Sequence, residues 1–220
     1  MGERLSANAA YEELLGLGAS DAFAAAVADM RRTFERRTGA FGPEDAWFEA
    51  RGRAFWDDAL TIQAFGTKAG SAVGVAAREW ADRFARAHRG LFRAIHAAGS
   101  FVLTDVWGGA EFAIDPPAEA LASELEAAAS DGDGENQLFD GRLVGAAAPF
   151  SVVLLPGAVF HRAEATNAVL AVVVAAKAKG MQRDEALDAL LRMDRKLQSH
   201  ARVKATYAYR AELLAQPQSI

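Results

Sequence analysis

The sequence predicts an α+β protein in three stretches: N-terminal helices, a small five-stranded antiparallel barrel or curved sheet of SH3-like or OB-like kind, and C-terminal helices. Three observations carry that prediction. Apolar residues recur at helical spacing up to about residue 88, the period then shortens to strand-like alternation punctuated by Gly-Gly and Pro-Pro pairs, and helical spacing returns from residue 162. The expected division is 1–89 helical, 90–160 barrel-like with an acidic insert, and 161–220 helical with a basic tail, packed as one or two compact units. A chain of 220 residues is long enough to bury a sizeable core in this way.

Residues 20–38 read as an amphipathic helix, with Ser20 as N-cap, Phe23, Val27, Met30 and Phe34 on one face, and Gly39 closing it. A second helix is expected after Gly42, with Pro43 in its first turn, where a missing N–H costs nothing. Its apolar face would carry Trp47, Phe48, the stem of Arg51, Phe55 and Ala59. A third is expected from Lys68 to His88, with Val73, Ala77, Trp80 and Phe84 in a stripe. Strands are expected at 91–96, 101–106, 110–114, 138–144 and 150–155. Gly108-Gly109 marks a tight hairpin, because glycine supplies the positive φ such turns need. Pro116-Pro117 stops the third strand, residues 118–129 read as a short helix, and Ser130–Asn136 as a solvated loop. Helices are then expected at 162–179, ended by Gly180, and at 183–199, with Leu187, Leu190, Leu191 and Leu197 facing inward.

Composition excludes several chemistries. The chain has no cysteine, which removes disulfides, thiolate nucleophiles, iron–sulfur clusters and cysteine-type zinc sites together. The apolar run Ala165–Ala176 is shorter than the about 20 residues that cross a bilayer, and reads as a buried helix. With no signal-peptide pattern at Met1–Leu5, a cytoplasmic location without membrane contact is expected. Net charge is −5, which does not announce a nucleic-acid binder. The charge is nevertheless segregated: no Lys or Arg lies between Arg93 and Arg142, whereas Arg192–Arg210 is rich in them.

Motif-like strings fail on inspection. Gly66-Thr67-Lys68-Ala69-Gly70-Ser71 has the residue types of a phosphate loop in the wrong order and reads as a helix–helix turn. Asp131, Asp133 and Glu135 begin like a calcium loop, but Asn136 stands where glycine is needed and Arg142 where glutamate is. His161 and Glu164, three apart at a helix start, are the nearest approach to a metal pair, yet they lack the further ligands known zinc motifs supply. No serine elbow occurs. Asp57-Asp58 reads as a solvent-facing helix segment, because adjacent helical residues point about 100° apart. The cluster Trp47, Phe48, Phe55, Trp56 and Phe65 reads as core rather than as a ligand pocket.

No catalytic residue, cofactor or metal is therefore expected. The preferred reading is a non-enzymatic interaction or regulatory protein, with a protein partner or self-association. The basic segment Arg195, Lys196, Arg202, Lys204, Tyr207 and Arg210 carries the alternative, nucleic-acid binding, since Tyr207 and Tyr209 interleave stacking rings with cations. Docking of that segment on the acidic insert, or on a partner, is favoured over nucleic acid. An enzyme of unfamiliar type, with His161, Glu164 and Asp105, is the third reading.

One resemblance accompanies these readings. The segment Phe48-Glu49-Ala50-Arg51-Gly52-Arg53-Ala54-Phe55-Trp56-Asp57-Asp58, followed by Gly90-Leu91-Phe92, the stretch Leu103–Phe112 and Phe139-Asp140-Gly141-Arg142-Leu143-Val144, resembles an uncharacterised bacterial family. In that family an aromatic-rich helical segment leads into a small β-module, and similar modules occur in proteins with a SEC-C-type metal-binding tail. That tail needs cysteines, so its metal does not carry over. The resemblance spans about residues 45–160 and implies architecture alone.

Overall fold

A computed structural model describes residues 5–97, 100–114, 119–129, 137–146, 151–200 and 202–215. The chain is α+β, with a closed five-stranded barrel flanked by helices from both ends of the sequence.

The first helix, α1 (Ala7–Gly18), precedes those expected. Ser6 caps it by accepting from the Ala9 N–H at 3.2 Å, and Ala7, Ala10, Tyr11, Leu14 and Gly18 form its buried stripe. Ser20 does not cap the next helix through its side chain. Its hydroxyl donates to the Leu17 carbonyl at 2.6 Å, closing α1, and a 3-10 turn (Asp21–Phe23) leads into α2 (Ala24–Thr38). Gly39 ends α2 at φ 94°, as expected. Helix α3 (Phe48–Leu60) begins five residues after Pro43, because Asp45 accepts from the Gly42 N–H and holds a turn there. The helix expected at 68–88 is broken. It comprises α4 (Phe65–Ala69), a 3-10 turn (Gly70–Ala72) and α5 (Val75–Phe84), and His88 belongs to a strand. Gly66 lies so close to α5 that a Cβ there would stand 2.6 Å from Ala81 Cβ, so the phosphate-loop-like string is a helix–helix contact.

The barrel comprises β1 (His88–Ala97), β2 (Ser100–Asp105), β3 (Glu111–Ile114), β4 (Leu138–Gly145) and β5 (Val152–Leu154), with α6 (Glu119–Ala128) between β3 and β4. Its order is β1-β2-β3-β5-β4, closed by β1 against β4, and β6 (Val159–Phe160) pairs antiparallel with the start of β4. All pairs are antiparallel except β3–β5, which is parallel at Ile114↔Val152. A ring of five strands cannot alternate direction all the way round, so closure requires one parallel pair, and the expected all-antiparallel sheet becomes mixed. Closure also leaves the ring without the open edges that invite aggregation. Gly109, at φ 75°, turns the β2–β3 connection.

Phe92, Phe101, Leu103, Ile114, Phe139, Leu143 and Leu154 fill the barrel, covered by Leu121 and Leu125 of α6. Val144, Leu155 and Val159 join the N-terminal helices in one core, while Leu91 and Leu138 join α7 (Thr166–Ala178) and α8 (Arg183–Gln198) in another. Helix α7 is half-buried rather than enclosed: Val169, Val172, Val173 and Ala176 face the core, but Val174 is 67 % exposed. The tail folds back as α9 (Ala205–Ala208) and a 3-10 turn (Ala211–Ala215). Among the described residues no helix is long and apolar enough to cross a membrane. The acidic loop 130–136, Pro116-Pro117 and Phe150 lie outside the described residues.

Candidate functional site

Pleating sends alternate residues of β1 and β4 to opposite faces. Phe92 and Phe139 turn into the barrel, whereas Arg89, opposite Arg142, and Leu91, opposite Asp140, turn outward. Helices α2, α3 and α8 cover that outer face, so its charges are buried. They form an alternating chain. Arg142 contacts Asp58 at 3.2 Å, Asp58 contacts Arg37 at 2.6 Å, Arg37 contacts Asp188 at 3.1 Å, Asp188 contacts Arg89 at 2.7 Å, and Arg89 contacts Asp140 at 2.7 Å. Three arginines match three aspartates, which is what makes the burial of so much charge affordable. Burial opposes the charge on Arg89, but Asp140 and Asp188 outweigh it and hold the guanidinium above its usual range. Burial likewise opposes charge on Asp140, yet Arg89 keeps that carboxyl below the usual range.

Two expectations change here. Asp57 and Asp58 do not face solvent; both are fully buried. Their side chains diverge, as helical geometry requires. Asp58 joins the ionic chain, while Asp57 accepts from Tyr11 Oη at 2.8 Å and from the Gly157 N–H at 3.0 Å. Arg51 buries its guanidinium as well as its stem, donating through Nη2 to the Thr38 carbonyl at 2.6 Å, and burial lowers its pKa.

His161 and Glu164 do not converge. His161 is 0 % exposed, whereas Glu164 lies outside beside Arg162. The partner of His161 is Tyr209, at 2.8 Å from Nδ1, and Tyr209 Oη donates onward to Asp194 at 3.2 Å. A hydroxyl that gives its one proton to Asp194 can only accept from His161, so His161 carries its proton on Nδ1. Burial first, then Asp194, push the Tyr209 phenol above its ordinary pKa, consistent with a fixed donor. The triplet pins the C-terminal segment to the body, and Tyr209, 3 % exposed, is not a stacking ring for a base. Tyr209→Phe is expected to cost about 1–3 kcal/mol by leaving two buried polar groups unmatched. Urea unfolding checks this, and an unchanged midpoint would rule the pin out.

Asp105 pairs with His88 rather than His161. His88 Nε2 lies 3.2 Å from Asp105 Oδ2, and Arg183 Nη1 lies 3.3 Å from His88 Nδ1. Among the described residues no group of three or more His, Asp or Glu is arranged to hold a metal ion.

The basic segment divides by exposure. Arg195 packs its stem against Gly39, where a Cβ would stand 2.9 Å from Arg195 Cδ. Lys196, Arg202, Lys204 and Arg210 are exposed, with Tyr207 at 63 % beside them. None of these four takes an ion-pair partner among the described residues. Glu124, from the acidic stretch, pairs instead with Arg53 at 3.5 Å.

No protein-family model, curated protein or solved structure matches this chain.

The buried junction was hidden from sequence reasoning by its distances along the chain, since Arg89 and Asp188 are 99 residues apart. Its one local signal is Asp140 and Arg142 alternating with apolar residues in a strand.

Proposed function

We propose that this chain works by binding, as an interaction or regulatory protein, and that its basic C-terminal face receives an acidic surface of a partner protein. The observation carrying this reading is the set Lys196, Arg202, Lys204 and Arg210, exposed and without ion-pair partners among the described residues, on a segment anchored by the buried Tyr209. Anchoring matters because a pre-organised surface loses less entropy on binding. Elsewhere, the strongest acid–base constellations are internal: the ionic chain and the His161–Tyr209–Asp194 triplet are occupied with one another and enclosed.

A second reading, single-stranded nucleic acid, draws on exposed Tyr207 next to the same cations. With Tyr209 committed to the core, one ring remains where stacking platforms use several, and the acidic net charge disfavours a polyphosphate.

Fluorescence anisotropy with a labelled oligo-glutamate peptide and with labelled single-stranded RNA separates the two. The peptide is expected to bind in a salt-sensitive manner, and Arg202→Glu/Lys204→Glu to weaken it by roughly tenfold or more. RNA binding abolished by the same pair would support the second reading. Binding of neither probe would end both.

A further inference from the structure

His88 opens β1 at the barrel mouth, opposite Leu143 of β4, with its ring against Phe92 and Phe112. Its side chain is 32 % exposed, so solvent protons reach it. Both ring nitrogens are engaged. A carboxylate without a proton only accepts and a guanidinium only donates. The contacts with Asp105 and Arg183 therefore fix one neutral tautomer, in which Nε2–H donates to Asp105 and Nδ1 accepts from Arg183. Asp105 is held in turn by the Trp107 N–H at 2.9 Å. Burial opposes its charge, but the hydrogen bonds from His88 and Trp107 keep its carboxyl below the usual range. Arg183 is the first residue of α8, the helix that also supplies Asp188 to the ionic chain and Asp194 to the Tyr209 pin.

We infer that Arg183, His88 and Asp105 form a proton-sensitive clasp between the barrel mouth and the first turn of α8. The charged groups facing the ring are Asp105 from β2 and Arg183 from α8, with Asp184 behind it, 3.7 Å from Arg183 Nε. Among the described residues, its ring contacts from β1 and β3 are the apolar Phe92 and Phe112, and Leu143 is its register partner on β4. Protonation places a hydrogen on Nδ1, where a guanidinium already stands at hydrogen-bond distance. Two donors and two positive charges then face each other, and the contact becomes repulsive. On the other side the attraction to Asp105 grows. Release is therefore one-sided: the ring stays with the barrel, while Arg183 turns away toward Asp184 and the start of α8 loosens.

Hydrogen exchange on the full chain tests this through the Ala186 and Leu187 amides, the former donating to the Gln182 carbonyl at 3.1 Å. After correction for intrinsic exchange, their protection is expected to fall about tenfold or more between about pH 8 and about pH 5, the range over which histidine changes charge. His88→Gln can donate to Asp105 and accept from Arg183 without titrating, and should keep protection at both pH values. Arg183→Met should show weak protection at both. Equal pH dependence in wild type and His88→Gln, or none in wild type, overturns the clasp. Ring nitrogen-15 shifts of the wild-type protein supply a check independent of any variant: an Nδ1–H tautomer at about pH 8 also overturns it.

Discussion

Arg89→Met is expected to destabilise the protein by about 3–5 kcal/mol, a large part of the whole stability of a domain this size. Arg89 bridges Asp140 and Asp188, and its removal leaves Asp140 enclosed with no ion-pair contact among the described residues, only the longer-range pull of Arg142. The cost is that of an uncompensated charge rather than the intrinsic worth of the pair, and a repair variant distinguishes the two. Arg89→Met/Asp140→Leu deletes the terminal pair of the ionic chain and leaves Arg142, Asp58, Arg37 and Asp188 as a shorter neutral one. Replacement of a buried ion pair by apolar residues of similar volume is often neutral, so the double variant should recover most of the loss. Urea unfolding of both singles and the double gives a coupling energy, expected to be about 2 kcal/mol or more. A single variant within about 1 kcal/mol of wild type would mean that Asp140 is solvated or otherwise compensated.

The same residues explain what sequence reasoning reached and what it missed. Amphipathic helices and alternating strands are local patterns, so α2, α8 and the five barrel strands were legible from spacing alone. Helix α1 carries a local signal too, in the Ser6 cap and the Ala7, Ala10, Tyr11 and Leu14 stripe. The junction was not legible, because alternation cannot reveal what covers the polar face of a strand. In β4, Leu138, Asp140 and Arg142 share the face opposite Phe139 and Leu143, which reads as the solvent side of a half-buried strand. The three covering helices make it an interior. Asp57 and Asp58 read as exposed for the same reason, since paired acids usually lie outside and the partners that bury them, Arg37 and Arg142 for Asp58 and Tyr11 and Gly157 for Asp57, sit in distant elements. Tyr209 looked like part of a basic surface by composition, and only its contact with His161 and Asp194 moves it to the core. The resemblance to a helical segment leading into a small β-module stays an expectation about architecture, with no activity attached.

Asp57 should make stability depend on pH in the direction opposite to an ion-paired carboxylate such as Asp140. Burial raises its pKa to about 7, against the opposing pull of Arg142 and the donors Tyr11 and Gly157. Below its ordinary value near 3.8 the carboxyl is neutral whether the chain is folded or not, and it contributes nothing. Between that value and about 7 the unfolded chain releases the proton while the folded one retains it. Stability therefore falls as pH rises through this window, and levels off above it. The move from 3.8 to about 7 corresponds to about 4 kcal/mol in all. Asp140, held low by Arg89, contributes with the other sign: its stability is present above the ordinary carboxylate range and is lost as pH falls below it. Asp57→Asn isolates the first effect. The amide oxygen can accept from the Gly157 N–H and its NH₂ can donate to Tyr11 Oη, copying the protonated acid. Close approach is already secured by Gly157, where a Cβ would stand 2.6 Å from Asp57 Cγ. Urea unfolding between about pH 5 and about pH 8 should show wild type losing about 2–3 kcal/mol more than the variant over that interval. Histidines titrating in the same range cancel in the difference. Parallel pH profiles for the two proteins would show that Asp57 is ionised in the fold, and that Arg142 serves it as well as Asp58.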